Sequence, residues 1–205
     1  LKYRPGLAER PEYDMDENPY EITLNANEST LNMPPLVEDR LMGRFASVAF
    51  NRYPGAEDYL SLTRQIAANF KVQPENILLG NGSSEIIEKL FYCFGGSKDA
   101  AIVYPQPSFS MYGIYAAAAE AKGVPVDLEP DYTLDLEKFV SAVIKNKARL
   151  CVICNPNNPT GTGFSVSDIQ YIADNIPTSC AFLVDEAYVE FYGQSAVSLL
   201  KDYPN

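Results

Sequence analysis

The sequence contains no histidine, and that absence narrows the chemistry first. It removes the Ser-His-Asp and Cys-His arrangements of nucleophilic catalysis and most catalytic zinc sites. Any reaction has to use other side chains or a bound cofactor. Long apolar runs are missing as well. Ala116–Ala119 and Leu150–Cys154 are typical of what is present, far short of the roughly 20 residues a membrane span needs. No basic start leading into an apolar stretch marks a signal peptide. Positive charge is scarce: 16 Lys and Arg stand against 27 Asp and Glu, a net charge of -11. Phosphate-backbone binding needs clustered Lys and Arg, so neither nucleic acid nor a membrane is expected as a partner. A small phosphorylated ligand stays open, because one local site can hold it.

Cysteine is sparse, with Cys93, Cys151, Cys154 and Cys180 only. Cys151 and Cys154 form a C-x-x-C, but a zinc site wants a second pair or histidines. Both also lie in an apolar run that reads as a buried strand, where Cys behaves as a small hydrophobe. No metal is expected, and this sparse cysteine usage suits a reduced, cytoplasmic setting.

What is present is an ordinary globular composition, 46% hydrophobic and 21% charged over 205 residues, enough for a sizeable domain plus an arm. Residues 1–35 are rich in Pro, Glu, Tyr and Asn without a sustained period. They read as an extended arm with a short strand at Glu21–Leu24. Beyond them, helices and strands alternate. Helices are expected over Asp58–Phe70, from Ser83 or Ser84 to Gly95-Gly96, over Ser108–Ala121 up to Gly123, over Leu136–Lys145, and after the Ser165-x-x-Asp168 cap. Buried strands are expected at Ile77–Leu79, Ala100–Tyr104 (broken by Pro105), Leu150–Cys154 and Ala181–Val184, with an edge strand at Val124–Leu128 because it contains Pro125. Continuous apolar strands separated by helices imply an α/β fold: a mostly parallel sheet with helices on both faces, a three-layer αβα arrangement.

In such a sheet, ligands bind beyond the carboxyl ends of the strands, and three polar clusters fall there. Gly80-Asn81-Gly82-Ser83-Ser84-Glu85 opens a helix, whose first N–H groups and positive dipole end suit a phosphate. It also reads as a plain capped turn. Asn155-Pro156-Asn157-Asn158-Pro159-Thr160-Gly161 makes a rigid, non-helical loop that can hold an asparagine amide toward a ligand. Asp185-Glu186-Ala187-Tyr188 follows an apolar strand, so its first carboxylate can pair with a cationic ring nitrogen and its tyrosine can point a phenol into the same space. There is no dinucleotide fingerprint or P-loop, which sets aside a nucleotide-binding module.

These three blocks, in this order and spacing, resemble the signature segments of fold-type-I pyridoxal-phosphate aminotransferases. Leu24-Asn25-Ala26-Asn27-Glu28, Arg52-Tyr53-Pro54 and Val189-Glu190-Phe191 resemble the histidinol-phosphate aminotransferase group within them. The resemblance runs from about residue 22 to about residue 192. It implies an enzyme with bound pyridoxal 5'-phosphate, a large-domain portion over 36–205, and a homodimer with shared active sites. By the same resemblance, Ser83 and Ser84 hold the cofactor phosphate, Phe109 stacks on the ring, and Asp185 pairs with the ring nitrogen. Asn158 and Tyr188 bond the ring's phenolic oxygen, and Tyr53 reaches the phosphate in the neighbouring subunit. The implied reaction is transamination between histidinol phosphate and 2-oxoglutarate in amino-acid biosynthesis. An aromatic aminotransferase, a threonine-phosphate decarboxylase and a non-catalytic chain that only folds and dimerises are the alternatives. Two segments depart from the pattern. Ser29–Pro35 replaces the family's Asn-Pro-x-Gly-Pro, and Phe109 stands where Tyr is usual. The Schiff-base lysine of the family lies in a Ser-Lys-x-x-x-Leu-x-Gly-type segment after the Asp-Glu-Ala-Tyr block. No lysine here, Lys98 included, has that context, so no catalytic residue is assigned and this chain alone is expected to be inactive.

Overall fold

The computed structural model describes residues 20–22 and 27–205. The described residues form two compact units, one ending at Leu78 and one running from Leu79 to Asn205. Most of the expected arm, and the second half of the strand expected at Glu21–Leu24, lie outside the described residues.

The first unit contains α1 (Pro35–Phe45), α2 (Ala56–Phe70) and a 3-10 turn at Pro74–Asn76. Nothing in the period of the sequence announced α1. It starts on Pro35, whose missing N–H and fixed φ suit a first helical turn, and it buries none of its residues. α2 begins slightly before the expected Asp58 because the Asp58 carboxylate reaches back to accept the Gly55 N–H at 3.0 Å. The strand expected at Ile77–Leu79 does not form. Ile77 has extended backbone, but a strand is made by pairing, and the sheet consists of four other segments. Leu78 is 70% exposed rather than buried.

The second unit is a parallel sheet of β1 (Ala101–Gln106), β2 (Lys122–Asp127), β3 (Leu150–Cys154) and β4 (Ala181–Asp185) in the order β2-β1-β3-β4. Around it lie α3 (Gly82–Phe94), α4 (Met111–Ala118), α5 (Leu136–Lys145), α6 (Val166–Asn175), the short α7 (Val189–Tyr192) and a 3-10 helix at Ala196–Lys201. Side chains alternate across a strand, and β3 shows it. Leu150, Val152 and Cys154 enter a core with Ile87 and Phe91 of α3 and Tyr112 and Ala116 of α4. Cys151 and Ile153 enter the opposite core with Phe139 and Val143 of α5 and Ile169 and Ile172 of α6. The architecture is therefore the expected three-layer αβα sheet. α5 and β3 have the expected bounds, and Ser165 and Asp168 form the expected reciprocal cap on α6.

Other boundaries differ. β1 continues through Pro105, because the ladder to β3 stops at Val103 opposite Cys151. Gln106 turns its carbonyl to β2, accepting from the Leu128 N–H at 2.8 Å, so its neighbour Pro105 faces the β3 side, where no donor is needed. α4 is shorter than expected and Gly123 lies inside β2. The helix ends because Glu120 adopts the left-handed conformation, φ 58°, while the Ala121 N–H folds back to the Ala116 carbonyl. α3 ends at Gly95 as expected. A methyl group there would lie 2.6 Å from the Phe91 carbonyl and 2.8 Å from Ala119 Cβ, so only glycine lets α3 meet the end of α4.

Candidate functional site

Parallel strands deliver their carboxyl ends to one edge of the sheet, and the candidate residues follow from that. The β3–β4 register sets Cys154 opposite Asp185, and the Asn155 N–H continues the ladder to the Asp185 carbonyl at 2.8 Å. Asp185 is 6% exposed. Its Oδ2 accepts from the Tyr112 phenol of α4 at 2.7 Å and its Oδ1 accepts from the Ala187 N–H at 3.1 Å. Among the described residues no Lys or Arg pairs with it. A buried carboxylate is expensive to desolvate unless charge and hydrogen bonds compensate it. This one has its hydrogen bonds and, among the described residues, no cationic side chain beside it.

Tyr112 was not foreseen from sequence. It is fully buried, and burial, followed by the nearby Cys154 and Asp185, pushes its phenol far above the ordinary range. It therefore stays a neutral donor. The only signal in the sequence is a tyrosine three residues after Phe109 on an alanine-rich helix.

The Asn-Pro loop divides its work among its asparagines. Asn155 is fully buried. It donates to the Phe164 carbonyl at 3.2 Å and accepts from the Phe164 N–H at 2.8 Å. Asn157 is 3% exposed. It donates to the Pro107 carbonyl at 3.0 Å and to Thr160 Oγ1 at 2.8 Å, and accepts from the Ser108 hydroxyl at 2.6 Å. These two residues tie the loop after β3 to the segment leading into α6 and to the loop after β1. Asn158 is half-buried, and among the described residues no hydrogen bond engages its side-chain amide. Asn155–Pro156 and Asn158–Pro159 are both cis. Replacing Asn155 with Ala leaves two buried backbone groups of Phe164 unpaired, so we expect a loss of about 2–4 kcal/mol, read from urea unfolding.

α3 supplies the third part. Asn81 is its N-cap and makes no side-chain cap bond, so Ser83 and Ser84 lie in the first turn rather than capping it, as the sequence had suggested. The N–H groups of a first turn have no intrahelical acceptors. Gly82 reaches this turn with φ 74°, a conformation glycine adopts without strain. Glu85 folds back along the helix start, accepting from the N-cap Asn81 N–H and from Lys89, each at 2.5 Å. The Asn81 bond first, then Lys89, hold its carboxyl below the ordinary 4.5. A lowered carboxyl contributes stability above its unfolded value and loses it as the pH falls through its folded value. The melting-temperature gap between the wild type and Glu85→Gln should therefore close on acidification below 4.5.

Phe109 is half-buried and packs edge-on against Tyr112, with ring centroids 5.5 Å apart. Tyr112 thus touches both Phe109 and Asp185 and brings them into one cluster. Tyr188 is half-buried in the turn after β4, three residues past Asp185, its ring 6.4 Å from that of Phe191. Tyr53 belongs to the other compact unit and is 99% exposed. Glu186 of the same Asp-Glu step has a structural task, accepting from Ser195 and from the Ala196 N–H, each at 2.6 Å. Cys151 and Cys154 enter opposite cores, so they cannot share one metal ion.

Residues 20–205 match the family described as aminotransferase class I and II. Over 193 residues the chain is 37% identical to the histidinol-phosphate aminotransferase of Caldanaerobacter subterraneus subsp. tengcongensis, an alignment covering 94% of this chain and 54% of that protein. Among solved structures, the histidinol-phosphate aminotransferase of Clostridium acetobutylicum superposes with a TM-score of 0.76 at 26% identity, over 87% of this chain and 52% of that one. The Sinorhizobium meliloti histidinol-phosphate aminotransferase, solved in complex with pyridoxal-5'-phosphate, superposes with a TM-score of 0.72 at 25% identity, over 81% of this chain and 44% of that one. The chain spans about half the length of the curated relatives it matches. Among the described residues no helix is long and apolar enough to cross a membrane.

Proposed function

The chain belongs to the aminotransferase class I and II family, and from that premise we propose that it binds pyridoxal 5'-phosphate and serves transamination between histidinol phosphate and 2-oxoglutarate. The observation that carries the cofactor reading is Asp185: a carboxylate 6% exposed, bonded through both oxygens, and without a cation among the described residues. A protonated pyridine nitrogen is a cation of the right shape, flat and with a single N–H. The other donors fit the rest of the molecule. The uncapped first turn of α3, with Ser83 and Ser84, suits a phosphate dianion. Phe109 offers an aromatic face to a ring. The Asn158 amide and the Tyr188 phenol are suited to a phenolic oxygen.

When bound, the cofactor supplies the electron sink that makes amino-group exchange possible. The residues of this chain have the simpler tasks of binding and orientation. Asp185 keeps a proton on the ring nitrogen by charge. The backbone dipoles at the start of α3 would favour the phosphate dianion there. Asn158 is held by a loop whose other asparagines are already bonded, so its amide needs little reorganisation to meet a ligand. Tyr53, open to solvent, is available to the phosphate in a neighbouring subunit, which fits a dimer with shared sites. The choice of histidinol phosphate rests on the relatives' names.

The test is product analysis. The full polypeptide in which this chain occurs is incubated with pyridoxal 5'-phosphate, 2-oxoglutarate and one donor at a time. Glutamate formed from histidinol phosphate in preference to tyrosine or phenylalanine supports the reading. Preference for the aromatic amino acids, or release of carbon dioxide from threonine phosphate, replaces it with another member of the same superfamily.

A further inference from the structure

Asp185 does not hold its position by itself. We propose that Tyr112 is a positioning residue, its phenol aiming Asp185 at the cationic ring nitrogen of the cofactor. This rests on the cofactor reading above and adds to it a residue that neither the motif blocks nor the comparisons assign.

The groups facing Asp185 come from three elements: Tyr112 from α4, Cys154 from β3, and the Ala187 N–H from the turn after β4. None of them is cationic. Burial first, then the charge of Asp185, pushes the Cys154 thiol up to about 11, and the Tyr112 phenol lies higher still for the same first reason. Both therefore keep their protons through the physiological range. Toward a carboxylate a neutral phenol can only donate, and Tyr112 donates to Oδ2 at 2.7 Å. Hydrogen bonds to a charged acceptor are worth roughly twice neutral ones.

Packing alone does not call for this hydroxyl. Phe91 and Phe139 are as fully buried as Tyr112 without one, and a buried hydroxyl is costly unless bonded. The ring is also immobilised. Tyr104, Phe91 and Phe109 lie around it, at 6.2, 6.2 and 5.5 Å between centroids. A rigid donor on a packed helix fixes one carboxylate oxygen, and a backbone N–H fixes the other. What remains free is the carboxylate's second set of lone pairs, which is where a ring N–H would be met.

The experiment compares wild type, Tyr112→Phe, Asp185→Asn and a variant carrying 3-fluorotyrosine at position 112 alone, all in the full polypeptide. The readouts are the dissociation constant for pyridoxal 5'-phosphate and the pH midpoint of the bound cofactor's long-wavelength absorbance. Tyr112→Phe is expected to bind about tenfold more weakly, the loss of one charge-assisted hydrogen bond. Its midpoint should move to higher pH, because a ring nitrogen less firmly held as a cation does less to favour proton loss elsewhere on the ring system. The fluorinated phenol is a stronger donor of the same shape, and it should move the midpoint the other way. That arm keeps the test decisive if Tyr112→Phe folds poorly. Wild-type affinity and midpoint in both Tyr112 variants, with both lost in Asp185→Asn, would make Tyr112 a packing residue and overturn the proposal alone. A wild type that does not bind the cofactor, or an Asp185→Asn indistinguishable from it, would overturn the cofactor reading and this inference with it.

Discussion

Asp185→Asn should weaken pyridoxal 5'-phosphate binding by about a hundredfold or more, with the fold retained. The magnitude follows from the environment. Removing one partner of a buried ion pair costs about 3–5 kcal/mol, and each 1.4 kcal/mol is a factor of about ten. The substitution changes little in volume, but it replaces an acceptor on both sides with one acceptor and one donor. Tyr112 and the Ala187 N–H both donate into this carboxylate, so the new NH2 group must face one of them. Some stability is lost even without ligand, and melting the cofactor-free protein measures that part. Equilibrium dialysis or absorbance titration measures the rest. An unchanged affinity would mean that the carboxylate meets no cation.

Phe91→Ala is expected to destabilise the protein by about 3–5 kcal/mol, the range for deleting a fully buried aromatic ring. Phe91 is 0% exposed, and its ring lies 6.2 Å from that of Tyr112 and 6.0 Å from that of Tyr115. It joins α3, whose first turn is the phosphate candidate, to α4, which carries the donor to Asp185. Urea unfolding should show a lower midpoint at an unchanged slope. Phe139→Ala supplies the comparison, because Phe139 is equally buried in the opposite core. Both variants should lose comparable stability. Only Phe91→Ala should also weaken cofactor binding, since only that core contains Tyr112.

Local chemistry was legible in the sequence wherever one short stretch decides the outcome. The five apolar residues of β3 are buried without a break, and the Ser165–Asp168 cap needs only its own four-residue window. Reading failed where a distant partner decides. Pro105 looked like a strand breaker until the end of the β1–β3 ladder explained why its missing N–H is harmless. Ile77–Leu79 looked like a strand because its composition is right, but composition cannot supply a neighbour. The site shows the same division. Ser83, Ser84, Asn158, Asp185 and Tyr188 lie in motifs contiguous along the chain. Tyr112 acts across 73 positions, and nothing in its own neighbourhood distinguishes a structural tyrosine from a donor. The motif blocks pointed to Asn158 but left Asn155 and Asn157 unassigned. Those two turn inward, Asn155 to the Phe164 backbone and Asn157 to Pro107, Ser108 and Thr160.

The Asn-Pro steps of that loop also bear on how the protein ages. Asparagine converts spontaneously to aspartate when the backbone nitrogen of the next residue attacks the side-chain carbonyl and ammonia leaves. Proline has no N–H to lose in that attack, so Asn155 and Asn158, each followed by proline, are chemically protected. Asn157 has an attackable neighbour, but its amide is buried and held by three hydrogen bonds. Asn81 has none of these protections. It is exposed and is followed by the exposed Gly82, which offers the least hindered nitrogen of any residue. Storage damage should therefore collect at the entrance to α3, where a new carboxylate would repel the anion that the helix dipole attracts. The asparagines of the Asn-Pro loop would still be intact when that happens.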